Sequence, residues 1–124
     1  MNIFIVEDSP VRIDIFKEKF KDIEEAKLFI ATTAEEGKKI IDDNEGITWD
    51  MLFLDHDLGG RVYVESADKN TGYQVAKYIK EKECVYYNAV THSLNPAGAQ
   101  NIMDVLENCN HIPFTILSTM EFSY

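Results

Sequence analysis

Positive charge is what this sequence runs out of. Residues 83–124 contain no Lys or Arg, and the whole 124-residue chain sets 12 basic against 22 acidic side chains, a net charge of −10. A chain of that sign repels phosphate backbones, which excludes nonspecific nucleic-acid binding. Any positive charge offered to a ligand from the last third must come from His92, His111, a helix N-terminus or a metal. Cysteine is scarce: Cys84 and Cys109 form no spaced framework, as expected of a cytoplasmic protein. Long apolar runs are missing too. The uncharged stretch over residues 84–100 is broken by Asn, Thr, His, Ser and Pro, so no membrane span is expected. No basic region precedes the first apolar run and no small-residue cleavage site follows it, so a secretion signal is not expected. No repeat, low-complexity tract or linker appears. With 45% hydrophobic residues, the length reads as one domain over residues 1–124.

What is present is an alternation of short apolar runs and amphipathic segments. Residues 2–6 form an apolar, β-branched run suited to a buried parallel strand. Ser9 and Pro10 then have the cap and first-position chemistry of a helix whose face carries Ile13, Phe16, Phe20 and Ile23. Residues 27–31 predict a second strand. Thr33 and Glu36 have capping-box spacing before a helix with Ile40 and Ile41. Residues 51–54 predict a third strand, 61–70 a loop, and Thr71 with Gln74 another capped helix. Residues 86–90 predict strand four, Pro96 opens a helix holding Ala99, Ile102, Met103 and Leu106, and residues 112–117 predict strand five. Alternating strands and helices imply an α/β fold with parallel strands, right-handed crossovers and helices on both faces. The few residues after Leu117 leave the closing helix absent or very short, and one flank of the sheet uncovered or open to self-association.

In an open parallel sheet, ligands bind beyond the carboxyl ends of the strands. Strand one delivers Glu7 and Asp8 there, strand three Asp55, His56 and Asp57, and strand four Thr91, His92, Ser93 and Asn95. Carboxylates from two neighbouring strands make a hard-oxygen site of the kind Mg²⁺ prefers, and three of them repel one another unless something cationic lies between. Asp57 either orients His56, bonds its own loop or offers a carbonyl to the metal. His56 and His92, with the helix N-terminus after Asn95, could hold an anion. Arg12 reaches the acids or a ligand phosphate, or makes a plain surface ion pair. His111, placed before strand five, falls on the opposite side of the sheet and reads as structural. Tyr63, in the loop above the strand ends, is the aromatic placed to stack on a base.

The acidic pair Glu7-Asp8, with Asp55 ending strand three, resembles the receiver domains of two-component signalling. Leu54-Asp55-His56-Asp57-Leu58-Gly59, Thr71-Gly72-Tyr73 and His92-Ser93-Leu94-Asn95-Pro96-Ala97-Gly98, with Met103, are similar to one offshoot, the cyclic-phosphate processing receiver domains. Arg12 also matches a basic residue of that group. The resemblance implies a three-layer α/β/α, flavodoxin-like receiver fold with strand order 2-1-3-4-5. It implies a site with Glu7, Asp8, Asp55 and Asp57 toward Mg²⁺, and Arg12, Ser93, Asn95 and Gly98 toward substrate. Asp55, His56 and His92 would be catalytic, the imidazoles serving as acid and base. The expected activity is phosphoesterase-type hydrolysis of a cyclic or nucleotide-derived phosphate. Receivers carry a Lys at the end of strand five, and this chain has none after Lys82. The alternatives are a non-catalytic nucleotide- or partner-binding module and a degenerate phosphoacceptor using Asp55.

Overall fold

Among the described residues ten elements alternate: β1 (Asn2–Val6), α1 (Pro10–Phe20), β2 (Lys27–Ala31), α2 (Ala34–Asp43), β3 (Thr48–Leu54), α3 (Gly72–Glu81), β4 (Val85–Thr91), α4 (Pro96–Val105), β5 (Cys109–His111) and α5 (Phe114–Leu117). The computed structural model describes residues 1–61 and 63–122. All strand pairs are parallel, in the order β2-β1-β3-β4-β5 expected of a receiver fold.

Period-two side-chain alternation divides the interior into two cores. Phe4, Val6, Leu52, Leu54 and Ala89 face α2, α3 and α4, where Ala34, Ile41, Val75, Ala76, Ile79 and Ile102 are buried. Ile3, Ile5, Phe53 and Val90 face the other way, against Phe16 and Phe20 of α1 and Phe114 and Leu117 of α5. The helices start where the sequence predicts. Ser9, Thr33, Thr71 and Asn95 each accept a backbone N–H from three residues on, and Pro10 and Pro96 take the first helical positions. Of the two capping-box matches, neither closes in the usual way. Glu36 turns back to the N–H of Thr32 rather than Thr33, and Gln74 donates to the carbonyl of Ser66.

The last unit differs from its sequence expectation. Strand five is residues Cys109–His111, and the apolar residues after Pro113 wind into α5. Backbone bonds from Ile112 N to Thr91 O (3.0 Å) and from Phe114 N to His92 O (2.9 Å) follow β5, and Pro113 between them, with its ring-fixed φ, leads the chain into α5. α5 is a single short helix of 4 residues, so the closing helix is very short. It leaves an apolar groove of about 310 Å³ along Phe20, Phe53, Val90, Ile112 and Phe122. No helix among the described residues is long and apolar enough to cross a membrane.

Candidate functional site

The site follows from register. Ile5 pairs with Phe53 and Phe53 with Val90, so these three side chains form one row across β1, β3 and β4. Two residues further along each chain stand Glu7, Asp55 and His92. The period of two brings them to the same face, and backbone bonds from Asp55 N to Val6 O (3.0 Å) and His92 N to Leu54 O (3.3 Å) continue the ladder to them. Each offers a ligand atom within 4.8 Å of the others. Glu7 and His92 are fully buried and Asp55 is 4% exposed.

Glu7 and His92 are a pair. Nε2 of His92 lies 2.9 Å from Oε1 of Glu7. A carboxylate can only accept, so Nε2 carries the proton. The N–H groups of Asp8 and Ser9 donate to Oε2 at 2.9 and 3.0 Å. Burial alone would raise the Glu7 pKa. The His92 hydrogen bond and charge, the Ser9 N–H and the Arg12 charge together hold it below the ordinary carboxylate value. The His92 ring sits edge-on between Phe16 and Phe114, and its Nδ1 has no partner among the described residues. Thr91 Oγ1 is likewise buried and unpaired.

Asp55 sits at the bottom of an open cleft of about 170 Å³ that is also lined by Asp8, Arg12, Asp57, Arg61 and Leu94. Its Oδ1 accepts from the His56 N–H at 2.9 Å. Burial, with Glu7 nearby, pushes its pKa up to about 6 against the pull of His92 and Arg12. Arg12 reaches in from the first turn of α1. Its Nη1 is 3.6 Å from Oε1 of Glu7 and 3.8 Å from Oδ2 of Asp55, and its guanidinium lies 4.9 Å above the Phe114 ring. Arg61, the second cation of the cleft, is tied to Asp68 by two bonds. Asp8 receives the Gly60 N–H on Oδ2 at 2.6 Å.

The remaining sequence-predicted residues serve the frame. Parity sends His56 to the opposite face from His92. Its Nδ1 is 2.7 Å from Asp57 and its Nε2 2.7 Å from Ser66, and the ring is fully buried against Gly98. Asp57 is bonded by His56, Val64 and Asn95 on Oδ1 and by Tyr63 N–H on Oδ2. Those bonds outweigh its burial and lower its pKa. Of the three readings open for Asp57, orienting His56 and bonding its own loop are what the geometry realises. Asn95 donates to Asp57 and caps α4 at Gly98 N, while Ser93 Oγ accepts from Asn95 N at 3.0 Å. Tyr63 is exposed and held at a φ of 56°. His111 corrects its sequence reading. It ends β5 instead of preceding it, so it lies on the ligand side of the sheet, where Nε2–H donates to the Ser93 carbonyl at 2.7 Å.

In composition the donor set fits a divalent cation. Asp8 and Asp55 bring carboxylate oxygens to the cleft, and Glu7 and His92 complete a three-group cluster with Asp55. Arg61 and Leu94 were not singled out in the sequence. Arg61 lies just beyond the first motif and Leu94 within the second, in the turn between β4 and α4.

A family model described as Cyclic-phosphate processing Receiver domain matches residues 5–108. No curated protein matches the chain. Among similar solved structures is the response regulator TrrA of Thermotoga maritima in complex with Mg²⁺ and BeF. It is 18% identical, covers 90% of this chain and 84% of that one, and has a TM-score of 0.65. The receiver domain of a Pseudomonas aeruginosa sensor histidine kinase, with magnesium in its active-site cleft, is 15% identical over 90% and 83% of the two chains, with a TM-score of 0.64. The N-terminal domain of a Carboxydothermus hydrogenoformans response regulator is 22% identical over 90% and 80%, with a TM-score of 0.62. These likenesses establish the receiver fold.

Proposed function

The chain belongs to the cyclic-phosphate processing receiver domains, and from that premise we propose that its cleft binds and hydrolyses the phosphate of a cyclic or nucleotide-derived ester. One observation carries this reading: Glu7, Asp55 and His92 are buried within reach of one another beneath a cleft that Arg12 faces. Crowding two carboxylates in a low-dielectric site is costly, and such perturbed groups cluster where they do chemistry.

The cleft, at about 170 Å³, is small beside the roughly 300–1,000 Å³ of ordinary ligand pockets. It takes the phosphate and leaves the organic group at the rim, near exposed Leu94 and Tyr63. Arg12 pairs with the phosphoryl oxygens. Water attacks phosphorus, one ester P–O bond breaks, and the departing oxygen receives a proton. Asp55, in contact with the cleft and titrating near neutrality, takes the proton from the water. Asp55 then returns that proton to the departing oxygen, while His92, fully buried and bonded through Nε2–H to Glu7, holds the carboxylate pair in place behind it. Asp55 takes the acid–base role expected of His56 and His92, because both nitrogens of His56 are engaged and His92 is buried behind the cleft lining. Bound Mg²⁺, held by Asp8 and Asp55 with Glu7 beside them, would polarise a phosphoryl oxygen.

The test is hydrolysis of 2′,3′-cyclic and 3′,5′-cyclic nucleotides with and without Mg²⁺. Turnover that falls about 10²–10⁴-fold in Asp55→Asn and in His92→Ala is expected. No turnover of any of them overturns the hydrolytic reading. The place of Asp55 at the end of β3 favours a second one, a phosphoacceptor role, for which a small phosphodonor would add one phosphate to the protein's mass.

A further inference from the structure

Arg12 engages both carboxylates of the buried Glu7–Asp55–His92 cluster, which a divalent cation in the cleft would meet beside Asp8. Its Nη1 is within 4 Å of both Glu7 Oε1 and Asp55 Oδ2. The side chain is built in. Its guanidinium lies over Phe114, the first residue of α5, and that ring is itself wedged against Phe16 and His92. Residues 83–124 supply no Lys or Arg that could take its place, and Arg61 is committed to Asp68. The end of β5, where the receiver resemblance predicts an ammonium, presents His111, Ile112 and, across Pro113, the Phe114 ring that supports Arg12. The counter-charge of the cluster thus comes from α1 instead of β5.

We propose that Arg12 and a divalent cation are competing counter-ions for Glu7 and Asp55, so that the guanidinium sets the metal affinity of the site. A fixed positive charge within a few ångströms opposes entry of a second, and the opposition is stronger than in water because Glu7 and Asp55 are buried. Metal enters only as the guanidinium gives up its two carboxylates, and a guanidinium so released is free to hold phosphate. The site then works as an exchange of cations rather than as a preset metal cage.

Mn²⁺ binding to the full chain, followed by electron paramagnetic resonance or calorimetry without any phosphate compound, tests this directly. Arg12→Met keeps an apolar stem over Phe114 and removes the charge, and it should bind Mn²⁺ at least about tenfold more tightly than the parent. Arg12→Lys keeps the charge and should stay within about threefold of the parent. Arg12→Gln serves if the Met variant does not fold, and circular dichroism of each variant establishes that it does. Unchanged or weaker Mn²⁺ binding in the neutral variants overturns the proposal, and so does an equal gain in Arg12→Lys. The proposal rests on the site read above, yet the two fail separately: the nucleotide assays can come out negative while Mn²⁺ competition holds, and the reverse.

Discussion

At the scale of single residues, the site sets two carboxylates of opposite habit side by side. Asp55 is raised to about 6 from an ordinary 3.8, foremost by burial. A raised acid contributes stability that is fully present below the unfolded pKa and is lost as pH climbs through the folded one. Asp55 therefore stabilises the fold below about pH 4 relative to its effect at neutrality, and above about pH 6 it exacts a constant penalty. Glu7 is lowered by His92, backbone N–H and Arg12 against its own burial, so its contribution is present above 4.5 and fades as pH falls through the folded value. Opposite outcomes follow for near-isosteric changes. Asp55→Asn should raise stability at pH 7.5 by about 1–3 kcal/mol. Glu7→Gln should lower it by a similar amount, roughly 1–3 kcal/mol. Urea melts at pH 7.5 and pH 4 measure both, and the gain in Asp55→Asn should close at the lower pH. A destabilised Asp55→Asn at pH 7.5 would contradict the burial account. The site's members were legible in the sequence as strand-end polar residues, because strand ends in a parallel sheet point at the ligand side. Their partition was harder to read. Glu7, Asp55 and His92 continue the Ile5, Phe53 and Val90 row, a parity that also separates His56 from His92, but parity alone does not say that a loop will close on His56 through Ser66.

At the scale of elements, the α3 and α4 starts are fitted against the β3 turn with no room for a side chain. A Cβ on Gly98 would come within 2.4 Å of His56 Cγ, and one on Gly72 within 1.6 Å of the Asp55 carbonyl oxygen. The His56 ring is pinned at both nitrogens and cannot step aside. Gly98→Ala should then cost about 1–3 kcal/mol or more, read from chemical denaturation, although alanine is the better helix former. A neutral Gly98→Ala would mean that the ring is free to move. The first four strand–helix units were legible because caps and apolar periods agree there: Ser9-Pro10, Thr33, Thr71 and Asn95-Pro96 all cap as their chemistry suggests. The fifth was misread because apolarity and pairing part company. Cys109-Asn110-His111 is polar but pairs with β4 along the sheet edge, while Phe114–Leu117 is apolar but follows a proline. That displacement carried His111 from one side of the sheet to the other.

At the scale of the whole molecule, net charge and local charge oppose each other. A protein of net charge −10 repels a phosphate ester at long range, while Arg12 attracts it at contact. Raising ionic strength from about 10 to 150 mM shortens the Debye length from roughly 30 to 8 Å, which screens the first effect far more than the second. The association rate of a fluorescent nucleotide, followed by stopped flow, should accordingly rise about two- to fivefold over that range. A fall would show that the local field reaches beyond the cleft and governs encounter.

Glu7, Asp55 and His92 are contributed by β1, β3 and β4, distant in the chain and neighbours only through the sheet's hydrogen-bond ladders. No fragment lacking β1, β3 or β4 holds the trio, and during synthesis it does not exist until the fourth strand has emerged and zipped onto the third. A copy in which any one of those three strands has come away therefore loses the cluster whole.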